Sequence, residues 1–205
     1  MFFILSFTIH RLEVLGILIS MDETLSTRGT DRLLWIDLEM TGLDPTKDVI
    51  LEVAAIVTDW DLKELAVFES GVGHGQARVQ ELLDASDWYT HVMPKNKKMF
   101  LKLNQKSPDA RTVETQLLEF VRQYCPQLSP VIVAGNSIHI DRQFIKAAWP
   151  LLDQQLHYRM LDVTAWKVVF EAKYGTSWKK PDHHRALDDI RGSIDELKQY
   201  LERIR

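Results

Sequence analysis

At 205 residues, 45% of them hydrophobic and 26% charged, the chain is long enough for one well-buried core and short for two. Its net charge of −4 excludes a global positive field of the kind that grips long nucleic acid, and favours short or weakly held substrates over duplex wrapping. The lone cysteine, Cys125, excludes an internal disulfide, suits a reducing, cytoplasmic compartment, and reads as a buried structural thiol at the end of an apolar helix.

The first twenty residues, MFFILSFTIHRLEVLGILIS, are apolar but interrupted by His10, Arg11 and Glu13, which makes a poor membrane span. They lack the basic start and small-residue cleavage site of a signal peptide, and they are not rich in Arg and Ser as a mitochondrial presequence would be. An upstream start codon, with Met21 as the natural first residue, is the reading adopted; a membrane anchor is the sharper alternative. Residues 1–30 are therefore expected to be an extension ahead of one domain at 31–205.

From Asp31 onward there is no linker, repeat or domain boundary. RLLWIDLEM reads as a strand, followed by the turn-like TGLDPTKD with Gly42 and Pro45. VILEVAAIVTD is a second strand, apolar enough to be central, and ELAVFESGV a third after the short WDLK connection, predicting an antiparallel meander. Residues 76–107 read as helical in pieces, with a lysine-rich stretch, MPKNKKMFLK. ARTVETQLLEFVRQYC is an amphipathic helix with Leu117, Leu118 and Val121 at core spacing. PVIVAGN then reads as a strand, DRQFIKAAWPLL as a helix ended near Pro150, and HYRMLDV as a strand. TAWKVVFEAKYG follows as a helix capped by Gly175, and a long helix from about Arg185 to Ile204 closes the chain. Three early strands followed by helix–strand–helix–strand–helix predict an α/β fold, a mixed sheet flanked by helices.

Acidic residues from three distant segments stand out: Asp37 and Glu39 in the first strand, Asp141 after the fourth, and Asp189 in HHRALDDI with His184 just before it. Asp37 and Glu39, two apart in a strand, emerge from one face while Ile36 and Leu38 take the other. Side by side on an inner strand they are expensive unless a cation sits between them. Asp141, alone, could be no more than a helix-start aspartate complementing the dipole; Asn136 and Ser137 stand ready to meet a ligand at the preceding strand's end. In the last helix the apolar stripe runs through Ala186, Ile190, Ile194, Leu197 and Leu201. Asp189 lies on its edge and can face a site on the sheet, while Asp188 points toward solvent. His184 precedes the helix and is free to swing toward that site; His183 is its rival. Carboxylates gathered from three places need divalent metal to offset their repulsion, and such metals beside a histidine suit phosphodiester cleavage.

These segments resemble the three motifs of the DEDDh exonuclease superfamily, and most closely oligoribonucleases. WIDLEMTGLDP, AGNSIxxDRxF, HYRxLDV and HxALDDIRxSxxEL occur in family order from Trp35 to about Leu197. The resemblance implies an RNase H-like fold and 3′-to-5′ removal of 5′-mononucleotides from very short RNA, chiefly dinucleotides. It implies two divalent ions, Mg²⁺ or Mn²⁺, with Asp37 bridging both, Glu39 and Asp189 completing the one that holds the attacking water, and Asp141 supporting the second. His184 would be the general base. Leu43 would wedge between the two bases, Trp88 would stack near the 3′ base, His91 would lie close to the substrate, and Ser137 would touch the nucleotide. In the implied homodimer, Tyr158 and Arg159 cross the interface, Arg159 meeting a terminal phosphate in the neighbouring subunit.

Two departures bear on substrate. Where the family has a Ser-Thr pair after LDV, this chain has Thr164-Ala165, so one hydroxyl is lost from the terminal-phosphate cap. Residues 94–107 lose a Ser-Gly-Leu turn and gain lysines, which would widen or re-aim the pocket. The alternatives are a superfamily exonuclease acting on longer RNA or single-stranded DNA 3′ ends, favoured by Lys95, Lys97 and Lys98, and a catalytically dead fold used as a binding module. The intact set of five site residues argues against the second, and nothing indicates the pocket of a small-molecule phosphatase.

Overall fold

The computed structural model describes residues 31–126, 130–176, 178 and 185–204. The N-terminal extension, His183 and His184 lie outside them. LLWIDLEM has neither glycine nor proline, and it forms β1 (Leu33–Met40). An apolar run broken by one charged residue, Glu52, and closed by Thr58 forms β2 (Ile50–Thr58), buried at every position. β3 (Glu64–Gly71) is exposed along much of its length. β4 (Val131–Gly135) and β5 (Leu156–Asp162) complete a five-stranded sheet in the order β3-β2-β1-β4-β5. The first three strands are the antiparallel meander, whereas β4 runs parallel to β1 and β5 parallel to β4. The sheet is therefore mixed, as expected, with β1 at its centre.

Alternation along β1 divides the core. Leu34, Ile36 and Leu38 pack under α3 (Ala110–Tyr124) and α4 (Ile138–Ala148). Leu33 and Trp35 face α6 (Val163–Tyr174) and the long α7 (Ala186–Arg203). Asp37 and Glu39 continue the second face by the period of two, so the carboxylates emerge on the side covered by α7. A smaller cluster joins the start of β2 to α1 (Gln76–Ala85), a π-turn at Trp88–Val92 and α2 (Pro94–Lys106). Cys125 ends α3 as a buried thiol, its pKa pushed up to about 11 by burial.

Residues 76–107 are helical in pieces, as expected, and one helix departs from the sequence reading. α4 begins three residues before Asp141, because Ser137 takes a left-handed conformation (φ 49°) that turns the chain straight out of β4 into the helix. It ends at Ala148, and Pro150, which has no N–H to continue it, opens the short α5 (Pro150–Asp153). Residues 94–106 form one unbroken helix with Pro94 in its first turn.

α7 holds its place through Ala186, Ile190, Ile194 and Leu197, all buried against the sheet. Ile190→Ala is predicted to cost about 2–5 kcal/mol in urea-induced unfolding. A loss below about 0.5 kcal/mol, the range of surface substitutions, would mean that this helix does not carry the second face of the sheet.

Candidate active site

β4 pairs with β1 only as far as Trp35, so β1 runs on past its neighbour. The carboxylates stand on this overhang, at the ends where parallel strands finish and helices begin. Asp37 and Glu39 of β1 and Asp189 of α7 bring carboxylate oxygens within 4.8 Å of one another. Asp189 sits in the first turn of α7 and its amide donates to Arg185 O (3.0 Å). Asp188 beside it is exposed, so the helical phase separated the two aspartates correctly.

Asp141 enters from the opposite layer. It does not merely decorate the start of α4, since its Oδ1 accepts the Leu38 amide at 3.0 Å. That amide lies on the overhang of β1, beyond the last β4 pairing. Asp141 is buried, and burial pushes its carboxyl well above the usual range against the pull of the amides bonded to it.

Glu39 is shifted to about 8, first by burial, then by the negative charges of Asp189 and Glu52; Arg185 opposes them. Glu52 is the direct cross-strand partner of Glu39. It is 1% exposed and clasped by the Arg185 guanidinium at 2.6 Å. Neither residue was singled out in the sequence. The donor set of the cluster is all carboxylate oxygen, which fits a hard divalent cation. The expected general base, His184, lies outside the described residues; Arg185 follows it directly.

Glu39 also forms the edge of a cavity of 360 Å³ lined by the β1–β2 turn and the π-turn, with Leu43, Ser86, Trp88 and Tyr89 among its walls. Leu43 is 74% and Trp88 48% exposed, so the structure brings both expected base-contacting side chains to one opening. The turn carrying Leu43 is braced by Asp48, which accepts the Thr41 hydroxyl (2.8 Å) and the Asp44 amide (3.0 Å). A side chain at Gly42 would collide with the Asp48 carboxylate, which explains the glycine.

The floor is Tyr89, whose hydroxyl donates to Met40 O (2.8 Å) and whose ring meets Phe100 of α2 edge-on. The divergent 94–107 segment thus backs the cavity wall indirectly, through the contact of Phe100 with Tyr89. Tyr89 was missed by the sequence reading, and its place beside Trp88 was the one available signal. His91 shares the π-turn but is exposed, near Thr90 and Asp87, and is not among the cavity's lining residues. Lys97 is engaged with Asp84 of α1 at 2.6 Å, whereas Lys95 and Lys98 are exposed.

Ser137 and Thr164 come together. The Ser137 amide donates to Thr164 Oγ1 (2.9 Å) and Asp162 Oδ1 (3.0 Å), and the two hydroxyls are 3.2 Å apart. Asn136 turns away from them, its amide nitrogen donating to the buried Glu196 (3.2 Å), which also accepts the Tyr200 hydroxyl (2.8 Å). Tyr158 and Arg159 lie on β5, the edge strand, with Arg159 over the Tyr158 ring at 5.3 Å. Within one chain they stand apart from the carboxylate cluster.

The exonuclease (RNase T) family matches residues 34–197. An oligoribonuclease from Francisella tularensis subsp. novicida is 40% identical over 184 residues, covering 86% of this chain and 98% of its own length. One from Corynebacterium glutamicum is 40% identical over 174 residues, covering 83% and 78%. Among solved structures, exonuclease I from Methylocaldum szegediense superposes with a TM-score of 0.60 over 84% of this chain at 16% identity. The zinc-bound form of E. coli exonuclease I with single-stranded DNA does so with a TM-score of 0.60 over 85% at 13% identity. The chain spans 40% and 41% of those two exonuclease I chains, and at such identities the likeness bears on the fold alone, an RNase H-like one.

The Glu39 shift sets a sign for stability. An acid whose folded pKa is raised from 4.5 to about 8 contributes stability that is full below about pH 4.5 and lost as pH rises through 8. In EDTA, the melting temperature of the wild type relative to Glu39→Gln is predicted to fall from pH 5.5 to pH 8.5, and Mn²⁺ should reverse the fall. A difference that is flat with pH would contradict the assignment.

Proposed function

We infer the function from membership: the chain belongs to the exonuclease family and, within it, to the oligoribonucleases. It is a 3′-to-5′ exoribonuclease acting on short oligonucleotides. One observation carries this reading down to the residues: the carboxylate cluster of Asp37, Glu39 and Asp189 shares Glu39 with a cavity of 360 Å³. That volume lies toward the small end of ligand sites, about 300–1,000 Å³. A dinucleotide is the substrate proposed here, on the strength of the likeness to oligoribonucleases.

Asp37, Glu39 and Asp189 would hold the divalent ions, Mg²⁺ or Mn²⁺, with Asp37 shared and Asp141 supporting the second. Bound ions of this kind polarise the scissile phosphate and make a coordinated water acidic enough to ionise near neutral pH. His184 would take the proton of the attacking water, its ordinary pKa being close to the working range. Leu43 would enter between the two bases and Trp88 would stack near the 3′ base, contacts that tolerate any sequence. Ser137, held by Thr164, would meet the nucleotide, and His91 would lie at the rim.

Closure at the other end needs a second copy of the chain. Tyr158, Arg159 and Met160 are exposed in succession on the edge strand, and an exposed edge invites a partner. We place Tyr158 and Arg159 across that homodimer interface, Arg159 on a terminal phosphate. The single buried thiol suits the cytoplasm; among the described residues no helix is long and apolar enough to cross a membrane.

A second reading, cleavage of longer RNA or single-stranded DNA ends, draws on α2. Lys95, Lys98, Lys102 and Lys106 are exposed at spacings that put them on one face of the helix.

Cleavage of 5′-labelled RNA of two, three, five and ten nucleotides with Mn²⁺ separates the two. The dinucleotide is predicted to disappear fastest, with Asp37→Ala and His184→Ala stalled. Leu43→Ala and Trp88→Ala should each raise KM for it by about tenfold, in line with stacking worth roughly 1–3 kcal/mol per base. Preference for the ten-nucleotide RNA would move the chain to the second reading. Absence of metal-dependent cleavage at any length would overturn the enzyme.

A further inference from the structure

The cluster needs Asp189 delivered to β1 from a helix that shares no hydrogen-bond ladder with the sheet. Hydrophobic packing is non-directional. The stripe Ala186–Ile190–Ile194–Leu197 decides which face of α7 meets the sheet, but it resists sliding along the helix axis weakly. Something directional must set the axial position, and it must act near the first turn, where Asp189 sits.

The contacts of Glu52 meet that requirement. Its carboxylate is buried in the fully buried β2, a costly placement unless the charge is paired and hydrogen-bonded. Arg185 Nη2 donates to Oε1 at 2.6 Å, and Arg185 Nε reaches Oε1 at 3.1 Å and Oε2 at 3.2 Å. Such a charge-assisted fork fixes orientation as well as distance. The same guanidinium donates to Glu69 of β3 at 3.2 Å, so it spans two strands.

Glu52 also lies 3.5 Å from the Ala186 amide, the first of α7. No side chain at the N-cap position caps this helix, and the Glu52 carboxylate stands where a negative charge complements its dipole. On the sheet side, Glu52 is opposite Glu39. On the helix side, Arg185 O accepts the Asp189 amide at 3.0 Å. One bonded path therefore runs from the strand beside Glu39, through the fork, to Asp189.

We propose that Glu52 and Arg185 are a positioning pair, which locks the first turn of α7 onto β2 and thereby sets Asp189 against Asp37 and Glu39 for cation binding. They act through Asp189 and are not themselves cation ligands. The proposal rests on the reading of the cluster as a divalent-cation site.

The sign of one measurement separates positioning from simple charge. Arg185 is a cation beside an anionic cluster, so by electrostatics alone its removal would tighten cation binding. Positioning requires the opposite. In calorimetric titration with Mn²⁺ alone, without RNA, Arg185→Gln is expected to bind about tenfold more weakly than the wild type. Arg185→Lys, which keeps the charge and loses the fork, should also be weaker. Glu52→Gln combined with Arg185→Gln, which leaves no buried charge unpaired, should recover part of the loss. In dinucleotide cleavage, Arg185→Gln should lower kcat and leave KM within about twofold. Unchanged or tighter Mn²⁺ binding by Arg185→Gln would overturn the proposal, and Arg185→Lys decides by the same criterion if Arg185→Gln does not fold. A wild type that binds no Mn²⁺ would instead overturn the reading of the cluster itself.

Discussion

Mutual repulsion among half-buried and buried carboxylates is the constraint that the rest of this structure answers. Asp37, Glu39, Asp189 and Asp141 converge, and Glu52 adds a fifth acid within their influence. The chain offsets that charge in several ways that need no ligand. Arg185 clasps Glu52. The Leu38 amide donates to Asp141. The protonated form of Glu39 is favoured to about pH 8. Two helices also direct their first turns at the cluster, α4 with Asp141 and α7 with Asp189, so their positive dipole ends face the negative charge. Each device eases the repulsion and leaves part of it standing. A divalent cation would supply the remainder, which would couple cation binding to stability.

The topology is what makes such convergence available. Because β4 pairs with β1 only as far as Trp35, the last half of β1 projects beyond it. The turn after β4 can then bring α4 across, placing Asp141 under Leu38. On the other face α7 crosses the sheet with its N-terminus at the same end. The meander contributes differently: β2 puts Glu52 beside Glu39, and the turn joining β1 to β2 carries Leu43 over the cavity. The carboxylates of β1 and the Leu43 side of the cavity are thus neighbouring residues of one strand and its turn, so their spacing is fixed by backbone geometry. The cavity depends on longer-range packing, since Tyr89 is held between Met40 and Phe100.

Much of this was legible because it is periodic. The two-residue spacing put Asp37 and Glu39 on one face, and the helical angle separated Asp189 from Asp188. The alternation of strands and helices gave the mixed sheet. What escaped depends on register or on a single backbone angle. Glu52 is one acid in an apolar run, and nothing local says that it will lie opposite Glu39; the register follows from the nine-residue turn between the strands. Arg185 looked like one of several charges at a helix start, though its guanidinium reaches a strand 133 residues earlier. The early start of α4 hangs on Ser137 adopting a left-handed turn, which is uncommon for serine. Asp48 gave no sign that Gly42 is pressed against it.

The most direct test of the account is to locate Mn²⁺ by anomalous diffraction in crystals soaked with the ion. Two peaks roughly 3.5–4 Å apart, with Asp37 between them and Glu39 and Asp189 on one, are the predicted result. A lone peak remote from Asp37, or none at the cluster, would contradict the claim that these carboxylates are gathered to hold a pair of cations.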